Sequence, residues 1–90
     1  MKYSLHKIYE INSIIKGIKD KLENLKELEV EVQEITRSNK ETYSLSFYYS
    51  REERVFNIPT LSLLDLYESK ITNLKLEIES LEKRLQKLVK

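Results

Sequence analysis

From Leu64 onward the chain places an apolar residue alternately three and four positions apart, without a break: Leu64, Tyr67, Ile71, Leu74, Ile78, Leu81, Leu85 and Leu88. An ordinary helix drifts away from a strict seven-residue repeat, so a ridge this regular marks a helix that lies along another helix. The spacing predicts a helix over residues 60–89, with Leu64 opening the first heptad as an a position. Ser62 and Asp65 form a weak capping-box-like start. Leu63, Leu66 and Leu76 fall off the ridge, which calls for a second contact on this helix.

The flanking charges give the ridge a direction. The e positions hold Glu68, Lys75 and Glu82, and the g positions hold Lys70, Glu77 and Arg84. A parallel, in-register pair would oppose Lys70 with Lys75 and Glu77 with Glu82. An antiparallel pair with Ile71 set against Leu74 brings Lys70 to Glu77 and Glu68 to Lys75 instead. Exposed pairs contribute only about 0.2–1 kcal/mol each, so they choose the orientation. The affinity comes from the ridge, at roughly 1.5–3 kcal/mol per fully buried side chain. The expected partner therefore runs antiparallel. It is either a second copy, making a homodimer or higher oligomer through these eight residues, or the chain's own first helix.

That first helix is predicted over residues 3–26, with Ser4 as its N-cap. Ile8, Ile11, Ile15, Ile18, Leu22 and Leu25 make its stripe, and Ile14 widens it. Gly17 sits in mid-helix, either to let another backbone approach or as a tolerated surface glycine. At Leu28 the period changes: Leu28-Glu29-Val30-Glu31-Val32 alternates, and β-branched residues at period two favour a strand over residues 28–36. Arg37-Ser38-Asn39-Lys40 reads as a turn, followed by strands over 42–49 and 54–58 around the loop Ser50-Arg51-Glu52-Glu53. Pro59 ends the last strand. A loop of that length sets Tyr49 opposite Arg54, Phe47 opposite Phe56 and Leu45 opposite Ile58. Setting Val32 against Phe47 then puts Val30 against Tyr49, so all the apolar faces coincide.

The expected architecture is one α+β domain, α-β-β-β-α, with a small antiparallel meander and a long C-terminal coiled-coil helix. The competing arrangement continues the first helix through Leu28, Val32 and Ile35, giving an antiparallel helical hairpin with a β-hairpin tip. The second layout is similar to that of prefoldin subunits, with shorter helices, and the likeness implies a structural or chaperone-like coiled-coil adaptor as an alternative function.

Composition narrows the function. A chain of 90 residues gains limited stability from burial and commonly relies on disulfides, metals or association. There is no Cys and one His, so association is the expected route. Sixteen Lys and Arg stand against fifteen Asp and Glu, spread evenly, without the basic excess that phosphate binding draws on. Lys2, His6, Lys7 and Glu10 interrupt the opening residues, unlike a secretory signal, and no apolar run reaches membrane length. A cytoplasmic location is expected. His6 lacks a catalytic companion, Gly17 is the only glycine, and Glu52-Glu53 has no further oxygen ligands clustered in sequence. The expectation is a non-enzyme with no cofactor, no metal and no small-molecule substrate.

Two surfaces remain. Tyr43, Phe47, Tyr48 and Tyr49 with Arg51 and Arg54 resemble a platform for stacking single-stranded bases. Most of those aromatics share the face expected to be buried, and Glu52 and Glu53 offset the arginines, which disfavours nucleic acid. The opposite face, with Tyr48, Val55, Asn57, Arg51 and Glu53, is the better candidate for a protein contact, since Tyr and Arg dominate interface hot spots.

Alanine, the best helix former, is absent from this helix-rich chain while Lys, Glu, Leu, Ile, Ser and Tyr abound. Physics does not exclude alanine from such helices, so its absence points to codon usage in an AT-rich genome. In length, composition and helix–sheet–coiled-coil layout the chain resembles small phage and prophage proteins of low-GC bacteria. That resemblance implies a protein that antagonises a host enzyme or defence system.

Overall fold

The computed structural model describes residues 4–90. It comprises a helix α1 (Leu5–Arg37), strands β1 (Thr42–Tyr49) and β2 (Glu52–Pro59), and a helix α2 (Thr60–Val89). The class is α+β, in the second of the two expected arrangements: a helical hairpin bearing a two-stranded β-hairpin.

Residues 28–36 are helix, not strand. Their alternation competes with a second pattern carried by the same residues. Ile11, Ile14, Ile18, Lys21, Leu25, Leu28, Val32 and Ile35 repeat at three and four, and these are the positions that α1 turns away from solvent. Val30, the residue the strand would have paired with Tyr49, is left 46% exposed. A helix to Arg37 gives every ridge residue of α2 a counterpart and keeps the backbone hydrogen-bonded internally. A third strand would bury fewer side chains and leave the start of α2 bare, so packing overrides the local β preference.

The two ridges lie against each other in antiparallel sense, and Ile14, Ile35 and Ile78 form the buried core. The remaining ridge residues of α2 are half-buried. The expected partner of α2 is thus present within the chain, and it is α1. The stripe on α1 differs from the expected one. Ile15 and Leu22 are each 48% exposed, while Ile14 is buried and Lys21 takes a place in the ridge. Choosing Ile14 and Lys21 lets the repeat run on through Leu28 and Val32 to Ile35, which the Ile15–Leu22 stripe does not reach. Lys21 Nζ meets Glu77 Oε2 at 2.7 Å, and Arg84 Nη2 meets Glu10 Oε1 at 3.2 Å. Both pairs lie along the g flank of α2, so Glu77 and Arg84 serve the pairing inside the chain.

Ser4 caps α1 by accepting a hydrogen bond from the Lys7 amide at 3.2 Å. The expected start at residue 3 lies outside the described residues. At the other end the Ser38 amide and hydroxyl both donate to the Ile35 carbonyl, and Asn39 turns the chain with a φ of 57°. Asn is among the few residues that tolerate this left-handed conformation. The α2 start departs from the Ser62–Asp65 box. The helix begins at Thr60 directly after Pro59, with no side-chain cap. Thr60 instead fastens the base of the hairpin, its amide donating to the Glu41 carbonyl at 2.8 Å and its hydroxyl to the Lys40 carbonyl at 2.6 Å.

The β-hairpin closes with two residues rather than four. Ser50 and Arg51 have φ of 51° and 66°, and Tyr49 pairs with Glu52, Phe47 with Arg54, Leu45 with Phe56 and Tyr43 with Ile58. Two consecutive left-handed residues make the turn whose twist matches that of the strands. The expected register is therefore displaced by two residues. A shift of two leaves every side chain on its expected face, because sides alternate with period two.

The molecule measures 58 × 33 × 15 Å, with a Cα radius of gyration of 19.1 Å. A compact domain of this length would have a radius near 12 Å. A 33-residue helix spans about 50 Å, and an eight-residue strand adds about 26 Å. Their sum exceeds the longest dimension, so the β-hairpin leans across the start of α2.

Candidate interaction surface

The leaning β-hairpin makes a head with two faces. Tyr43, Leu45, Phe47 and Tyr49 of β1 share one with Ile58, Phe56, Arg54 and Glu52 of β2; Ser44, Ser46 and Tyr48 share the other with Asn57, Val55 and Glu53. Only the base of the first face is anchored. Tyr43 is half-buried, its hydroxyl hydrogen-bonds that of Ser38, and Lys40 Nζ lies 5.3 Å from its ring centroid. Ile58 is half-buried beside it.

Farther toward the turn the apolar face is open. Leu45 is 45% exposed, Phe47 48%, Phe56 53% and Tyr49 67%. This corrects the expectation that the aromatic face is buried against the helices. The two helical ridges consume each other's apolar positions, and the sheet meets only the first turns of α2. Phe47 and Phe56 shelter each other by stacking, with ring centroids 5.6 Å apart and planes within 9°. Where the face meets α2, Leu45, Leu63, Leu66, Tyr67 and Lys70 line a shallow groove. Leu63 and Leu66, which fell off the ridge, line its helical side together with Tyr67 and Lys70, whereas Leu76, also off the ridge, makes no such contact and is 59% exposed.

The residues singled out in the sequence lie on the second face and the turn. Tyr48 is 76% exposed and Val55 59%, while Arg51 and Glu53 are exposed as well. Tyr48 stands opposite Glu53, and Val55 opposite Ser46, so Tyr48 and Val55 are diagonal neighbours rather than directly paired. Arg54 lies on the aromatic face, 3.8 Å from Glu52. The head thus joins an aromatic face, a Tyr48–Val55 face and a turn with charges of both signs.

Leu45, Phe47, Tyr49 and Phe56 are surface residues that the sequence pattern placed on the buried face. A signal for their exposure was present in α1. Its repeat from Ile11 to Ile35, apolar except at Lys21, is as long as the ridge of α2 and leaves no apolar stripe on α1 for a sheet.

Elsewhere the surface holds little chemistry. His6 is exposed on the first turn of α1. Among the described residues no group of three or more His, Cys, Asp or Glu side chains is arranged to hold a metal ion, and no helix is long and apolar enough to cross a membrane. Tyr67, which lines the groove, has its phenol pKa raised by the Glu31 carboxylate, which accepts its hydrogen bond, and further by burial and the same negative charge. This ties the groove to α1 as well as α2. Compared with known proteins, the chain matches no family model, no curated protein and no solved structure.

Proposed function

We propose that this is a non-enzymatic protein-binding module in which the helical hairpin is a stalk and the β-hairpin is the contact head. The open apolar face of Leu45, Phe47 and Phe56 carries the reading. Large exposed aromatics gathered on one small element, bordered by charged residues, are the composition of protein contact sites. The Tyr48–Val55 face and Arg51 and Glu53 at the turn extend the surface on which a partner would sit. The resemblance to small phage and prophage proteins makes inhibition of a bacterial host enzyme or defence protein in the cytoplasm the role we assign.

The test compares proteins retained from a low-GC bacterial lysate by the wild-type chain and by four folded variants. Phe47→Glu or Phe56→Glu is expected to abolish retention of a specific protein that Leu76→Glu, on the outside of α2, still retains. Tyr48→Ala reports on the second face. Equal retention by all of them would overturn the assignment of the head.

Nucleic acid gains one observation it lacked in the sequence: Phe47, Tyr49 and Phe56 are open to solvent in the same element as Arg51 and Arg54. Aromatic platforms beside cations stack single-stranded bases. Under that reading, binding to an oligothymidylate weakens steeply with salt and is lost in Phe47→Ala. The balanced charge of Glu52 and Glu53 favours protein.

A further inference from the structure

The two edges of the β-hairpin are unlike. The β2 edge carries Glu52, Glu53 and Arg54 and ends in Pro59, which has no N–H to offer. Charges and proline are the usual protection of an open edge. The β1 edge, Thr42-Tyr43-Ser44-Leu45-Ser46-Phe47-Tyr48-Tyr49, has no charged residue and no proline along its whole length. It consists of residues that favour strands or accept them, and such a segment left open is a template for another strand.

The turn decides which backbone groups are available. In a hairpin closed by two residues, the pair flanking the turn exchanges both hydrogen bonds, and every second pair does so after it. Here that set runs from Tyr49–Glu52 to Tyr43–Ile58. The amides and carbonyls of Ser44, Ser46 and Tyr48 therefore point away from β2, on residues that are all exposed.

We propose that the β1 edge pairs with the β1 edge of a second copy, antiparallel and centred on Ser46. The segment is self-complementary about that point. Ser46 meets Ser46 of the second copy, Ser44 meets its Tyr48, Leu45 meets its Phe47, and Tyr43 meets its Tyr49. The outward backbone groups of Ser44, Ser46 and Tyr48 find each other, and like faces join into a four-stranded sheet. In this register residues 43–49 of each copy, seven of the eight in β1, are paired. The inference is independent of the binding reading above, since it is decided by mass and that one by retention of a partner.

Sedimentation equilibrium over a wide concentration range tests it. The wild-type chain is expected to dimerise reversibly. Ser46→Lys and Ser46→Glu each place like charges opposite one another at the two-fold centre and are expected to weaken the dimer roughly fivefold or more. Mixing the two variants is expected to restore it as a heterodimer. Circular dichroism confirms that each variant keeps its helices. A wild-type chain that stays monomeric throughout, or a dimer indifferent to both Ser46 variants, overturns the proposal. Weakening by both without recovery on mixing overturns the centre on Ser46.

Discussion

Gly17 faces Leu81 of α2, and its place in the helix admits two outcomes for an added methyl group. A β-carbon built there meets Leu81 Cδ1 at 3.6 Å, an ordinary van der Waals contact, and the glycine φ is not in the left-handed region. Close backbone approach is therefore not the reason for this glycine. An interior helix glycine costs about 1 kcal/mol relative to alanine. Gly17→Ala is expected to raise stability by roughly that amount in chemical denaturation, and a lowered midpoint would show that Leu81 has no room. Ser50 and Arg51 show the opposite limit of what a single residue reveals. Both adopt left-handed backbone without being glycine or asparagine, so the turn had no residue signature. The strand twist that selects it is a property of the paired strands.

At the scale of the element, Lys21 explains how an imperfect ridge is made selective. It occupies a ridge position facing α2 and reaches Glu77, with its side chain 35% exposed. An exposed pair of this kind contributes about 0.2–1 kcal/mol, less than a leucine would gain by filling the position. A lysine at such a position specifies register and pairing at a cost in stability. Lys21→Leu is expected to raise the unfolding free energy by about 1 kcal/mol and to broaden the mass distribution in sedimentation as alternative pairings open. A lower midpoint would mean that the ion pair outweighs the apolar surface. The same element shows why residues 28–36 misled. Leu28, Val30 and Val32 alternate, but Leu28, Val32 and Ile35 also continue the ridge, and the second pattern gained a partner when α2 was laid beside it.

For the whole molecule, the consequence is a division of stability. The helical pair holds the buried core of Ile14, Ile35 and Ile78, whereas the head is a two-stranded sheet with an open face. An isolated two-stranded hairpin is marginal in water, so the head depends on its tether at Thr60 and on Tyr43. Amide exchange is expected to be fastest in β1 and β2 and slowest around Ile14 and Ile78. Raising the protein concentration is expected to slow exchange at Ser44, Ser46 and Tyr48 first. Uniform protection of head and stalk in the monomer would contradict this division.

The α2 helix, its antiparallel demand, the two last strands and their faces were legible in the residues themselves, because each rests on a period within one segment. Side-chain parity even survived the displacement of the β-hairpin register by two. Three matters belonged to the assembled chain: that α1 runs through residues 28–36, that α2 is satisfied by α1, and that the aromatic face is left open. Each is a competition between segments for the same apolar surface, and no segment's own pattern states who wins. Leu45, Phe47 and Phe56 look like core residues in isolation and become a surface because the helices bury one another first.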